Sequence, residues 1–307
     1  TKLRVTKMKN ELKFEGVFPA NPTPFRDGNV LENALREIFE DNISHGVNGF
    51  WVAGSTGEGP VLSDPQRETV ARIAGETCSG RCLSIMHVGA ISTESAVKGA
   101  SAAAKSGCDA VCCVPPFFFR STVETVVEHY KRVSDAADGL PFFIYNLPQL
   151  TQVETTPSMM EEIVDKVPNV VGLKHSAPNF QDIKIFSDMG LKCFSGNGAL
   201  PLPALTLGAV GTVDAPLSIS PWHYVSLYKA WKNGDISNAK KLQDGISKIV
   251  SITRMFDTPS HVTKIILSER TGVDCGTPIP PVKTLNESEK STVMELAGEA
   301  GLLKGPR

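Results

Sequence analysis

Nowhere does this 307-residue chain run to about 18 uninterrupted apolar residues, so no segment reads as a bilayer-spanning helix. Charge of one sign is also lacking: 31 Lys and Arg face 33 Asp and Glu, a net of −2. That balance gives nucleic acid or an anionic membrane no electrostatic hold, and neither is expected as a partner. No H-E-x-x-H, G-x-S-x-G, Walker A or G-x-G-x-x-G pattern occurs, which argues against metalloprotease, esterase, NTPase and dinucleotide chemistry. Metal-ligand spacing is missing too. Cys78 and Cys82 are separated by three residues, C-x3-C, with no matching His or Cys pair, and Cys108, Cys112 and Cys113 lie in or beside an apolar run. The seven cysteines therefore read as reduced thiols used as small apolar residues, pointing to the cytoplasm. The basic start "TKLRVTKMKN" has no apolar run behind it and does not read as a secretory signal.

What the chain does have is alternation. Short apolar runs at 14–20, 49–54, 83–88, 109–114, 141–146, 170–174, 192–196 and 209–214 are separated by amphipathic segments of helical length. Continuous apolar runs are what strands buried on both faces look like. Several helical segments open on Ser, Thr, Asp or Asn, the residues that cap helix starts. Eight β-then-α units predict a (β/α)8 TIM barrel, an α/β fold, with a doubly wound open sheet as the alternative. After about residue 217 only helical patterns remain, interrupted by the prolines of "CGTPIPP". The expected organisation is an N-terminal extension (1–13), the barrel (14–217) and a C-terminal helical subdomain (218–307).

In such barrels the carboxyl ends of the strands carry the chemistry. "VVGLK" places Lys174 at the end of the sixth run, on the same face as Gly172. An amine held among low-dielectric walls loses solvation of its charged form, and its uncharged fraction can attack a ketone to form a Schiff base. A lysine reaching out to solvent or to a carboxylate is the bland alternative. Tyr145 ends the fifth run, one strand away, and its phenol can relay protons; a core tyrosine with a wet tip is the plainer reading. "GSTGE" (54–58) follows the second run. Its glycines, with Ser55 and Thr56, suit one carboxylate or phosphate, or simply a tight turn with Glu58 capping the next helix.

"GSTGE", "YNLP" and "GLKHS", in this order and at these intervals, resemble the dihydrodipicolinate synthase/N-acetylneuraminate lyase superfamily across nearly the whole chain. That resemblance implies a barrel with a C-terminal helical domain, a homotetramer, and class I chemistry without a metal or organic cofactor. A 2-oxo acid, often pyruvate, condenses with the lysine matching Lys174; the tyrosine matching Tyr145 shuttles protons. Ser55 and Thr56 match the pair that holds the carboxylate, Thr56 joining the relay. Pyruvate and an aldehyde are the implied small-molecule partners.

The departures matter as much. Leu150 stands where dihydrodipicolinate synthases carry an arginine, and Phe117, Phe118 and Phe119 offer no phenol, so lysine biosynthesis is disfavoured. "HVGA" and "PPFFF" look closer to the N-acetylneuraminate lyase branch. Yet Asn197, Gly198 and Ala199 replace that branch's acidic pair, and Asp214, Ala215 and Pro216 its Gly-Ser-Thr. Gly196, Asn197, Val213 and Asp214 are candidate substrate-binding residues. Asp214 has capping or ion pairing as an equal alternative, and Arg120 reads as a solvated loop residue. His87 and His175 read as hydrogen-bonded structural histidines that could tune local charge. The expected reaction is cleavage of a 2-keto-3-deoxy sugar acid or related 4-hydroxy-2-oxo acid to pyruvate and an aldehyde. Dehydration through the same iminium, and a non-catalytic 2-oxo acid binding protein, are the alternatives.

Overall fold

The computed structural model describes residues 12–305, so the expected extension 1–13 lies almost wholly outside the described residues. Eight parallel strands form one sheet: β1 (Gly16–Val17), β2 (Gly49–Val52), β3 (Leu83–His87), β4 (Ala110–Cys113), β5 (Phe142–Asn146), β6 (Val170–His175), β7 (Lys192–Ser195) and β8 (Gly211–Thr212). Each pairs with its neighbour in sequence from β2 to β8, and β8 returns to pair with β1. The seam between β1 and β2 is bridged by Asn48 N–H to Val17 O and Trp51 N–H to Pro19 O, both 3.0 Å, which makes the sheet a nearly closed barrel. All eight apolar runs are strands, in the order read. The first and last are short. Gly16 has φ of +107°, and Pro19, Pro22 and Pro24 have no N–H to donate to a ladder.

Helices fill the connections: α1 (Glu32–Ser44), α2 (Asp64–Cys78), α3 (Thr93–Lys105), α4 (Val123–Ala136), α5 (Pro157–Lys166), α6 (Asp182–Asp188) and α7 (Pro201–Thr206). Ser63, Ser92, Thr122 and Thr156 each accept a backbone N–H at the start of α2 to α5, satisfying donors that the helix itself leaves over. Then follow α8 (Pro221–Lys232), α9 (Ile236–Arg254), α10 (Pro259–Thr271) and α11 (Glu287–Glu299). Expected in the C-terminal region, α8 packs chiefly on α9 and also reaches β1 and α7 on the barrel wall. A hairpin of 25–26 with 29–30 was not anticipated; its Asp27-Gly28 turn has both φ positive, the geometry that tight hairpins need.

Three apolar clusters organise the packing. One lies between sheet and helices and includes Leu173, Cys193 and Ile144. A second fills the barrel with Phe18, Trp51, Ile85, Cys112, Phe143, Phe194 and Val213. The third unites the C-terminal helices with Ile38 of α1. Strand alternation sorts Leu173 outward, while its neighbour Lys174 approaches the interior residues Trp51 and Tyr145. All seven cysteines are free, and all but Cys82 are buried.

Candidate active site

β5 and β6 are in a register that sets Tyr145 directly opposite Lys174. Lys174 is only 3% exposed, with its Nζ 4.4 Å from the centre of the Tyr145 ring and 5.8 Å from that of Trp51. Among the described residues no carboxylate forms an ion pair with it. Contacts with aromatic faces are weak, and the amine is left available for bonding. Gly172 leaves this strand close to its neighbour, since a Cβ there would stand 2.2 Å from Lys192 O.

The Tyr145 hydroxyl lies 3.3 Å from Ser55 Oγ. Ser55 belongs to the 54–58 loop, which is tied by Glu58 N–H to Ser55 O and Gly59 N–H to Gly54 O, both 3.1 Å. Ala53 and Glu58 take the left-handed conformation, and a Cβ on Gly59 would fall 1.8 Å from Ala53 O, so only glycine fits that turn. Thr56 is buried; the hydroxyl that meets the phenol is that of Ser55.

His87 stands edge-to-face with Tyr145, ring centres 5.8 Å apart, and its Nδ1–H donates to Ala53 O at 3.0 Å. Burial, aided by the Arg67 and Lys174 charges, drives its imidazole down to about 3, so the ring is neutral. Arg67, a buried arginine unnoticed in the sequence, donates to Val88 O and Gly89 O and holds the turn after His87. A cavity of about 230 Å³ opens beside Ser55, His87 and Tyr145.

Residues 13–300 match the model of the dihydrodipicolinate synthetase family. The chain belongs to that family. N-acetylneuraminate lyase of Citrobacter koseri is 34% identical over 240 residues, 77% of this chain and 80% of that one. The wild-type sialic acid aldolase of Ruminococcus gnavus superposes with a TM-score of 0.89 at 26% identity, covering 94% of this chain and 97% of that one. Dihydrodipicolinate synthase of Aquifex aeolicus gives 0.87 at 26%, covering 95% and 100%. This family member is an enzyme, a carbon–carbon lyase of the class I pyruvate aldolase type.

The remaining candidate residues are dispersed. Val213 is fully buried in the barrel interior. Gly196 keeps room for Ser176, whose Oγ lies 1.8 Å from where a Cβ would stand. Asn197 Oδ1 accepts from Ala199 N–H at 3.1 Å. Asp214 accepts from the backbone of Gly198 (2.9 Å) and Ala215 (2.8 Å) and pairs with Arg254 at 3.1 Å. Arg120 is an exposed loop residue. His175 donates from Nε2 to Asn179 O at 2.9 Å, a hydrogen-bonded structural histidine.

Glu58 requires a correction: it caps no helix. Ser63 and Gln66 form the capping box of α2. The Glu58 carboxylate instead pairs with Lys264 of α10 at 2.8 Å, both side chains buried, and accepts Ile279 N–H at 2.6 Å. Its partners lie more than two hundred residues downstream, beyond the reach of local pattern.

Proposed function

We propose that the protein cleaves a 2-keto-3-deoxy sugar acid, or a related 4-hydroxy-2-oxo acid, through a Schiff base on Lys174. Lys174 Nζ attacks the C2 ketone, and loss of water leaves an iminium. Tyr145 Oη takes the proton of the C4 hydroxyl as the C3–C4 bond breaks; the bonding pair moves to C3 and the iminium becomes an enamine. The aldehyde departs, C3 takes a proton, and water releases pyruvate. Ser55, with Thr56, holds the 2-oxo carboxylate at the glycine-bounded loop, and Ser55 keeps the Tyr145 phenol oriented.

The observation that carries this reading is the register of β5 and β6, with the Lys174 amine over the Tyr145 ring and the phenol beside Ser55 Oγ. Gly196, Asn197 and the Val213–Asp214 pair belong to the proposal as backbone and side-chain borders of the substrate. A homotetramer in the cytoplasm is part of it as well. The seven free thiols support the compartment, and Phe118 and Phe119, 84% and 71% exposed, support burial in an assembly. Borohydride reduction in the presence of pyruvate tests the core of it. The expected result is a covalent adduct on the peptide containing Lys174, with loss of activity. An unchanged protein mass at millimolar pyruvate rejects it.

A further inference from the structure

The reaction proposed above leaves the far end of the departing aldehyde without a partner, and the inference here rests on that reaction. Ser176, two residues beyond Lys174 at the end of β6, is half-buried beside Gly196. Its N–H is taken by Asn146 O at 2.9 Å and its C=O by Gln149 Nε2 at 2.8 Å, while Oγ has no hydrogen-bond partner among the described residues. At the end of β7, Asn197 Oδ1 accepts from Ala199 N–H, which leaves the Nδ2 hydrogens unclaimed. At the end of β8, Asp214 Oδ1 accepts from Ala215 N–H, and Oδ2 accepts from Gly198 N–H and Arg254 Nη2. A carboxylate has about four lone-pair sites, so one remains, on Oδ1.

Arg254 stood outside every sequence motif. It ends α9, and its side chain is 50% exposed. The bond to Asp214 is its only hydrogen bond among the described residues, so most of its N–H donors are free. Its helix is nevertheless fixed to the strand ends. Gln243 of α9 accepts from Leu202 N–H at 3.1 Å and donates to Ala199 O at 2.8 Å, and Tyr224 of α8 donates to Gly198 O at 2.8 Å. The C-terminal helices thus clamp the 197–202 loop and carry a guanidinium to the carboxyl ends of β7 and β8.

Together these side chains offer donors at Ser176, Asn197 and Arg254 and acceptors at Ser176 Oγ and Asp214 Oδ1. Arg254 and Asp214 balance each other's charge. A hydroxyl is uncharged and both donates and accepts, so a polyhydroxylated chain can exchange its bonds to water for bonds to these groups. A second carboxylate would instead meet the like charge of Asp214.

We infer that Arg254, with Asp214 as the acceptor it orients, is a specificity-determining residue that binds hydroxyls of the departing aldehyde, so that the substrate is a sugar acid with an uncharged distal end.

Run in the condensation direction, pyruvate is offered with three four-carbon aldehydes: erythrose, the bare chain of butanal, and 4-oxobutanoate with its terminal carboxylate. Borohydride trapping of pyruvate on Lys174 is measured alongside. The expected result is kcat/KM for erythrose at least ~10-fold above either of the others, because a site built to bind hydroxyls rejects a chain that lacks them. Arg254→Leu should lower kcat/KM for erythrose about 10- to 100-fold, chiefly through the KM for the aldehyde, with a much smaller change for butanal and with trapping retained. Arg254→Lys keeps a charged donor and should recover part of the loss. Equal falls for erythrose and butanal in both variants would make Arg254 a structural tie and overturn the inference. So would better use of butanal or 4-oxobutanoate than of erythrose, or trapping without condensation. Failure of trapping overturns the Schiff-base reading and this inference together.

Discussion

Tyr145 presents its ring to one group and its hydroxyl to another, and the two contacts can be separated by experiment. Tyr145→Phe keeps the aromatic face under Lys174 and removes the proton carrier. Cleavage should fall about 10²- to 10⁴-fold while pyruvate trapping on Lys174 survives. Equal loss of trapping and turnover would place the phenol in Schiff-base formation instead. Lys174, Tyr145 and Ser55 were legible in the sequence because each follows an apolar run, and a run of that kind fixes where a strand must end. Asp214 was legible only as a carboxylate at a strand end. Whether such a group faces a ligand or the backbone depends on Gly198 and Arg254, which no local spacing brings near it.

Between elements, the Glu58–Lys264 pair ties the 54–58 loop to α10. Lys264 also donates to Thr277 O at 2.9 Å, so the loop, the helix and the 277–279 segment share one buried charge pair. Burial presses the Lys264 ammonium below its ordinary range, and Glu58 pulls it back. Removing one member strands the other charge in the interior. Lys264→Met should cost about 3–5 kcal/mol in urea unfolding, and Glu58→Gln/Lys264→Met should recover part of it. Because Ser55 rides on the same loop, both variants should raise the KM for pyruvate; an unaltered KM would mean the loop is held from the barrel side alone. The hairpin at 25–30 carried its own signal in Asp27-Gly28, passed over because each arm is only two residues long.

For the molecule as a whole, four histidines are buried, and burial lowers the pKa of each, His175 among them. Desolvation is the leading cause in each, bringing three of them well down, His87 to about 3 and His129 and His261 to about 4. Their unfolded value is near 6.5, so between those limits the unfolded chain binds more protons than the folded one. Stability is therefore full above about pH 6.5 and is lost as the pH falls toward the folded values, by about 2 kcal/mol per histidine at pH 5. Thermal unfolding should show a Tm level from pH 7 to 8 and clearly lower at pH 5; a level profile down to pH 5 would contradict the neutral assignment. The eightfold alternation made the barrel legible from sequence, since each stave announces itself. That α8 touches both α9 and the barrel wall was not legible, because a helix that completes a ring and one that leaves it have the same amphipathic pattern.

Gly16 faces Gly211 across the sheet, while the seam toward β2 holds only scattered bonds. The stave that a ribosome makes first thus has no ladder partner until the last one emerges. Nascent chains of every intermediate length carry an unzipped leading edge, and the vessel around Lys174 exists only once its two ends have met.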